Sequence, residues 1–188
     1  NFCNKIWNAH RFLAEQPTQA FTEPGIIEQA IMHEFHQFLQ TTQQHLDDYR
    51  FDLYAQTIYD YFWHHFCDWY LELAKVSSDE QKQQQRMQFL SDLFDQLLIA
   101  IHPALPFITE ELWQSKHGEE DTITFKDMPS TTNYPLSAPS QALYGQMREL
   151  IKGIRNIRSE LNIPPKTTIQ VYCINDPDQI MTQFKPEI

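Results

Sequence analysis

Apolar residues recur at intervals of three and four along most of the chain, the spacing that places them on one face of an α-helix. In the first 14 residues this face is formed by Phe2, Ile6, Ala9 and Leu13. After a turn at Pro17, the same helical spacing resumes and continues to Tyr49. Thr22, two residues before Pro24, is typical of a helix start. The pattern therefore predicts two amphipathic helices in the first 50 residues.

Three more helices are predicted before residue 118. The first, at about 52–75, is filled mainly by aromatic side chains. Asp79 is a suitable cap for the next helix, which continues to His102. A short helix at 106–117 closes at Gly118, the residue type that commonly follows a helix end. Five helices with short links predict an antiparallel bundle.

The last third of the chain has a different pattern. Residues 119–138 are rich in Thr, Ser, Pro and Asp and contain a short β-like run at 123–125, which indicates a connector. A sixth helix is predicted at about 139–162. Apolar and polar residues then alternate from Thr168 to Cys173, as in a strand, and Asp176-Pro177 resembles another helix start.

These elements predict a mainly α fold, an antiparallel helical bundle followed by the start of a small α/β element. We expect the bundle at 1–118, the connector at 119–138, and the last long helix with a truncated α/β subdomain at 139–188. The length of 188 residues and the hydrophobic content of 41% are enough for one core. The lack of an initial Met also suggests a segment of a longer protein.

Composition excludes several classes of protein. Only 4 glycines occur, so a glycine-rich phosphate loop is not expected. The 3 cysteines, Cys3, Cys67 and Cys173, are far apart, which argues against a disulfide framework and fits a reducing, cytoplasmic location. No signal peptide or membrane-spanning stretch is evident, so no membrane partner is expected.

The net charge of −11 means that any nucleic-acid site must be a local basic surface. At 100° per residue, Arg148, Lys152 and Arg155 share an arc of about 60° on the sixth helix, with Arg158 beside it. A phosphate backbone could lie along this row, although a solvated helix face explains it equally well. On the first helix, Lys5, Asn8 and Arg11 are spaced three apart and could contact exposed RNA bases.

Neither a metal site nor a catalytic site is predicted. His64, Cys67 and Asp68 have a spacing that could place metal ligands on one helix face, but they lie between core aromatics. Packing explains them better than ligation. Glu110 and Glu111 are typical of acids at a helix start, and no second carboxylate is placed to form an acid/base pair.

Four segments in order resemble the part of the valyl-tRNA synthetases that follows the catalytic domain. They are NFCNKIWNAHRF, YRFDLYAQTIYDYFWHHFCDWYLELAK, HPALPFITEELWQ and IKGIRNIRSELNIPPKTTIQVY. These synthetases belong to class I, whose leucine and isoleucine members share the helical bundle. The resemblance implies an anticodon-binding helical domain, with valine-accepting tRNA as the partner, no DNA partner, and the first helix near the anticodon.

The chain lacks both signatures with which this family binds ATP, one like His-Ile-Gly-His and one like Lys-Met-Ser-Lys-Ser. The resemblance therefore implies that ATP and Mg²⁺ act in other domains of a monomeric parent ligase, and that this segment has no cofactor. It favours Lys5, Asn8, Arg11, Arg155 and Arg158 as RNA contacts, and Trp7, Trp69 and Trp113 remain packing residues. Two alternatives stay open: a helical protein-interaction module, or the equivalent domain of an isoleucyl- or leucyl-tRNA synthetase.

Overall fold

The computed structural model describes residues 2–76, 79–164, 166–172 and 179–184. Within them the chain forms six long helices and one short one. They are α1 (Phe2–Ala14), α2 (Ile26–Asp47), α3 (the continuous segments Phe51–Asp60, Tyr61–Tyr70 and Leu71–Lys75), α4 (Glu80–Ile101), α5 (Pro106–His117), α6 (Ala138–Glu160) and α7 (Ile180–Gln183). The mainly α bundle predicted from the sequence is confirmed.

The core lies between α2, α3 and α4. Phe35, Phe62, Phe66 and Phe94 are fully buried there, and their rings contact one another or further aromatic side chains. On one side α1 and α5 pack against α4, and on the other α6 packs along α2. Among the described residues, no helix has the length and apolar content needed to cross a membrane.

The middle of α3, Tyr61–Tyr70, is a π-helix rather than the regular α-helix expected from the sequence. The N–H of Leu71 donates to the carbonyl of Phe66, five residues earlier. Such wide turns are rare and are usually confined to a single turn. Within this segment Asp68 contacts α1, Trp69 contacts α6 and Tyr70 contacts α2, so the π-helix joins three helices.

Most helix ends agree with the predicted ones. The carboxylate of Asp79 accepts from the backbone N–H groups of Gln81 and Lys82, at 3.0 and 3.3 Å, and caps α4. Gly118 ends α5 with a φ of 101°, a conformation that suits glycine. The start of α2 is different, because the helix begins at Ile26 rather than at Thr22–Pro24.

The connector is anchored to α2. The segment Ile123–Phe125 of the connector forms a 3₁₀ turn, so the prediction of a β-like conformation there was wrong. Further along, Nδ1 of His36 lies 2.9 Å from the carbonyl oxygen of Thr131 and 2.7 Å from that of Tyr134. The connector therefore follows a defined path back to the start of α6.

The predicted α/β element falls partly outside the described residues. Residues 168–172 form neither helix nor strand, and Cys173 and Asp176-Pro177 lie outside the part of the chain that the structure describes. The short helix α7 follows at Ile180–Gln183. The α/β element and the division into three regions therefore stay predictions.

Candidate nucleic-acid interface

The outer face of α1 is polar with one large aromatic side chain. Ile6, Ala9 and Leu13 bury the opposite face, as the spacing predicted. The exposed residues Asn4, Trp7, Asn8 and Arg11 fall within an arc of about 100°. Trp7 is 46% exposed, so the expectation that it packs inside the protein was wrong. This face offers amide and guanidinium groups around an accessible indole.

Lys5 is turned away from that face and towards α3. Its Nζ lies 3.6 Å from Oδ1 of Asp68 and 4.8 Å from the centre of the Trp63 ring. The side chain is half-buried between these two partners. Lys5 thus links α1 to the π-helical segment, and Asn8 and Arg11 remain exposed on the outer face.

The basic row on α6 is divided between buried and exposed positions. Arg148 is only 16% exposed, its Nη1 donates to Oε1 of Glu34 at 3.2 Å, and its guanidinium lies 4.7 Å from the centre of the Trp69 ring. Lys152 and Arg155 are exposed. The Arg155 guanidinium lies 5.4 Å from the same Trp69 ring, and Lys152 pairs with Glu149 at 2.8 Å. Trp69 itself is buried.

The spacing along α6 predicts an apolar face of Met147, Leu150, Ile154, Ile157 and Leu161, but the buried face is rotated from it. Ser140, Tyr144, Met147 and Ile151 are its buried residues, and none after Ile151 is buried. Ile157 and Leu161, expected on the apolar face, are 55% and 65% exposed. The apolar spacing at the end of α6 therefore has no matching buried face within the described residues.

Arg158 has a structural partner. Its Nη2 donates to the carbonyl oxygens of Pro164 and Thr167, both at 2.7 Å. The guanidinium therefore closes the turn that follows α6. Its half-buried position still borders the exposed basic residues of the helix.

A buried carboxylate lies beneath this surface. Glu34 of α2 is 12% exposed and accepts hydrogen bonds from the Tyr70 hydroxyl, from Nδ1 of His65 at 3.1 Å and from Arg148. Burial alone would raise the pKa of Glu34, but the hydrogen bonds from His65 and Tyr70 and the charges of His65 and Arg148 outweigh it. The net result is a lowered pKa, so this carboxylate is ionised at neutral pH.

One residue of the first predicted set and two of the second contact neighbouring residues of α3. Asp68 contacts Lys5 of α1, and the next residue, Trp69, contacts Arg148 and Arg155 of α6. Among the described residues, neither Arg11 nor Arg155 has an ion-pair partner, so both are available to an external anion. We call the exposed residues Asn4, Trp7, Asn8 and Arg11 of α1 and Lys152 and Arg155 of α6 the basic-aromatic residues.

The residues considered for a metal form a local contact instead. Nδ1 of His64 lies 3.3 Å from Oδ2 of Asp68, in an exposed pair. Burial raises the pKa of the Cys67 thiol to about 12, which keeps it protonated. Within the described part of the chain, no group of three His, Cys, Asp or Glu side chains is arranged to hold a metal ion.

Sequence reasoning missed four residues of this region. Asn4 and Trp7 could have been found, because they share the helical spacing of Asn8 and Arg11. Glu34 and the contact of Trp69 with two arginines could not, because they depend on how α2, α3 and α6 pack.

Comparison with known proteins agrees with a tRNA-binding fold. The family model described as the anticodon-binding domain of tRNA ligase matches residues 28–173, more than three quarters of the chain. The similar curated proteins include the valine–tRNA ligases of Pseudothermotoga lettingae, 31% identical over 93% of this chain and 21% of that protein, and of Psychrobacter arcticus, 36% identical over 93% and 20%.

A third relative is the valine–tRNA ligase of Dechloromonas aromatica, 36% identical over 88% of this chain and 20% of that protein. The chain therefore spans about a fifth of the length of the curated relatives it matches. The family match covers α2 to α6, and the matches to the relatives extend over most of the chain. The helical architecture, the family match and these relatives together show that the chain belongs to the anticodon-binding domain family of the tRNA ligases.

Proposed function

We propose that this chain recognises the anticodon stem-loop of valine-accepting tRNA as part of a valine–tRNA ligase. The observation that carries the proposal is the set of basic-aromatic residues, which are exposed Asn, Arg and Trp side chains on α1 and exposed Lys and Arg side chains on α6. In the proposed enzyme, ATP-dependent attachment of valine, with Mg²⁺, takes place outside this segment, which contributes no catalytic residue. The enzyme is proposed to be cytoplasmic and monomeric.

The two helices suit different parts of the RNA. Anticodon-loop bases are unpaired, so they can stack on an exposed indole such as Trp7 and hydrogen-bond with Asn8 and Arg11. Phosphates carry no sequence information but fix the orientation of the RNA, a role for Lys152 and Arg155. Lys5, Arg148 and Arg158 are proposed to border the contact, since each is partly buried and has a partner within the protein.

The acidic character of the chain favours one binding orientation. With a net charge of −11, most of the surface repels RNA, and binding is confined to places where cations are exposed. Binding energy far from the reacting ends then holds the tRNA in register for the chemistry elsewhere in the ligase. Tight binding is expected only at low salt, because phosphate contacts release counterions.

Fluorescence anisotropy tests the specificity. The chain is titrated at low salt into labelled valine tRNA and into the same tRNA with a changed anticodon. We expect tighter binding to the native anticodon. Equal binding to both RNAs would contradict anticodon recognition, and no binding to either would favour a protein-interaction module.

A salt titration tests the phosphate contact. Arg155→Ala should reduce the slope of log K against log salt by about 0.7 to 0.9, the value for one lost phosphate contact. The matched control is Arg50→Ala, an exposed arginine at the turn between α2 and α3 that pairs with Asp52 at 2.7 Å. An unchanged slope for Arg155→Ala, or an equal change for both variants, would remove Arg155 from the site.

A further inference from the structure

Arg155 is an exposed arginine with a defined position. Exposed arginines lose considerable side-chain entropy when they bind a ligand. The guanidinium of Arg155, however, already lies 5.4 Å from the centre of the Trp69 ring, within the range of a cation–π interaction. The orientation of the Trp69 indole therefore determines where this guanidinium is presented.

A second arginine, Arg148, also contacts the Trp69 indole. Arg148 lies two helical turns before Arg155, about 10 Å along α6, and its guanidinium is 4.7 Å from the same ring. The indole thus contacts two guanidiniums of one helix. Because Arg148 is 16% exposed, its contact with the indole is largely shielded from water.

Arg148 is fixed in turn by Glu34. The Glu34 carboxylate binds Arg148 of α6 and also accepts from His65 and Tyr70 of α3. A buried ion pair of this kind adds little net stability compared with apolar packing, but it can define how helices align. Here it connects α6 to α2 and α3.

We propose that Glu34 is a positioning residue for the RNA contact: through Arg148 and Trp69 it sets the place of the Arg155 guanidinium on the surface. This inference rests on the proposed function, since it assigns Arg155 a phosphate ligand. It adds a determinant of affinity that does not itself touch RNA. The chain of contacts is Glu34 to Arg148, Arg148 to Trp69, and Trp69 to Arg155.

The chain offers a matched control on the same helix. Glu28 of α2 forms an equally buried ion pair with Arg86 of α4, with Oε1 and Nε 2.7 Å apart. That pair joins α2 to α4, whereas the pair of Glu34 joins α2 to α6. Glu28→Gln and Glu34→Gln therefore remove the same charge from similar environments, but only the second change is linked to Trp69.

The first test is NMR of the chain without RNA. A guanidinium over an indole experiences its ring current, so the side-chain protons of Arg155 should be shifted upfield. Glu34→Gln should move them towards random-coil positions, and Glu28→Gln should leave them in place. Arg148→Lys provides a second variant, which keeps the charge opposite Glu34 but cannot stack its planar group on Trp69. Unchanged Arg155 shifts in both Glu34→Gln and Arg148→Lys would overturn the proposal.

The second test is affinity for valine tRNA at low salt. Glu34→Gln should weaken binding about tenfold, comparable to losing one charge-assisted hydrogen bond, and should lower the salt slope as Arg155→Ala does. In the Arg155→Ala background, Glu34→Gln should have no further effect. Additive losses, or equal losses for Glu28→Gln, would overturn the positioning role.

The two experiments separate the inference from the proposed function. If the NMR shifts respond as expected but Arg155→Ala leaves the salt slope unchanged, then Arg155 does not bind phosphate. The phosphate contact in the proposed function would then be wrong, and the positioning of Arg155 by Glu34 would stand. If Arg155→Ala changes the slope but Glu34→Gln affects neither the shifts nor the affinity, the RNA contact holds and the positioning role fails.

Discussion

At the scale of single residues, exposure separates tryptophans that look alike in the sequence. Trp69 and Trp113 are buried, as expected, whereas Trp7 presents nearly half of its surface to solvent. An exposed indole adds little to the stability of the fold but offers a flat surface to an unpaired base. The same residue type therefore serves packing on α3 and α5 and the proposed RNA contact on α1.

Substitution of these tryptophans should have opposite effects. Trp7→Ala should change the free energy of unfolding by less than about 0.5 kcal/mol, since it removes an exposed side chain, and should weaken tRNA binding about tenfold through lost stacking. Trp113→Ala should cost about 3 to 5 kcal/mol, because it empties a buried site beside His117, whose ring lies 4.2 Å away. Urea unfolding and anisotropy measure the two effects. A large loss of stability in Trp7→Ala would contradict this assignment.

At the scale of elements, two histidines of α2 hold the connector in different ways. His36 has two carbonyl oxygens beside its Nδ1, so that nitrogen must carry a proton to donate. His33 is buried and its Nδ1 accepts the backbone N–H of Ser137 at 3.0 Å, so its Nδ1 must be unprotonated. Two histidines one helical turn apart are thus assigned opposite tautomers by the backbone groups they face.

NMR of the ring nitrogens should detect these tautomers, with the proton on Nε2 in His33 and on Nδ1 in His36. His36→Ala should also speed amide hydrogen exchange at 131–137, by an amount equal to about 1 kcal/mol of local stability, because a hydrogen bond to the connector is lost. His45→Ala, on the same helix, makes no such bond among the described residues and should leave this exchange unchanged. Equal exchange in both variants would show that His36 does not anchor the connector.

At the scale of the whole molecule, α2 is the element that joins the two sides of the bundle. It packs along α6 and α3, and its acids Glu28 and Glu34 form ion pairs with α4 and α6. Since the pKa of Glu34 is lower in the folded chain than its ordinary value of 4.5, its ionised form stabilises the fold at neutral pH. That stabilisation is lost as the pH falls below about 4.5 and the carboxylate gains a proton.

At acidic pH the native chain should therefore no longer be more stable to unfolding than the Glu34→Gln variant. At neutral pH the variant should be about 3 kcal/mol less stable, because Arg148 loses its buried partner. As the pH falls below the ordinary glutamate pKa and through the lowered pKa of Glu34, the difference should shrink, because the native carboxylate also becomes neutral. Urea titrations between pH 7 and pH 3 measure this. Glu72→Gln, which removes an exposed partner of Lys75, should show little difference at any pH, and a constant difference for Glu34→Gln would contradict the lowered pKa.

Helical periodicity predicted the long helices well, because each helix buries one continuous face. It predicted α5 correctly at both ends, where Pro106 and Gly118 constrain the backbone directly. It was wrong for the start of α2 and for Ile123–Phe125, where capping and packing against neighbouring segments decide the conformation. It also placed Ile157 and Leu161 on a buried apolar face, although both are exposed, since amphipathic spacing does not reveal which part of a helix is covered by a neighbour.

The sequence by itself determined the helical class, most helix boundaries, the exposure of Asn8 and Arg11 and the resemblance to a tRNA-ligase domain, because these depend on spacing and residue type within one segment. Tertiary structure alone decided that Trp7 is exposed, and that Arg148 is paired with Glu34 while Arg155 has no acidic partner among the described residues. It also decided that α1 and α6 contact the neighbouring residues Asp68 and Trp69 of α3. The reason is physical: burial and ion pairing depend on which faces of distant helices meet, and that is not encoded in the periodicity of any single helix.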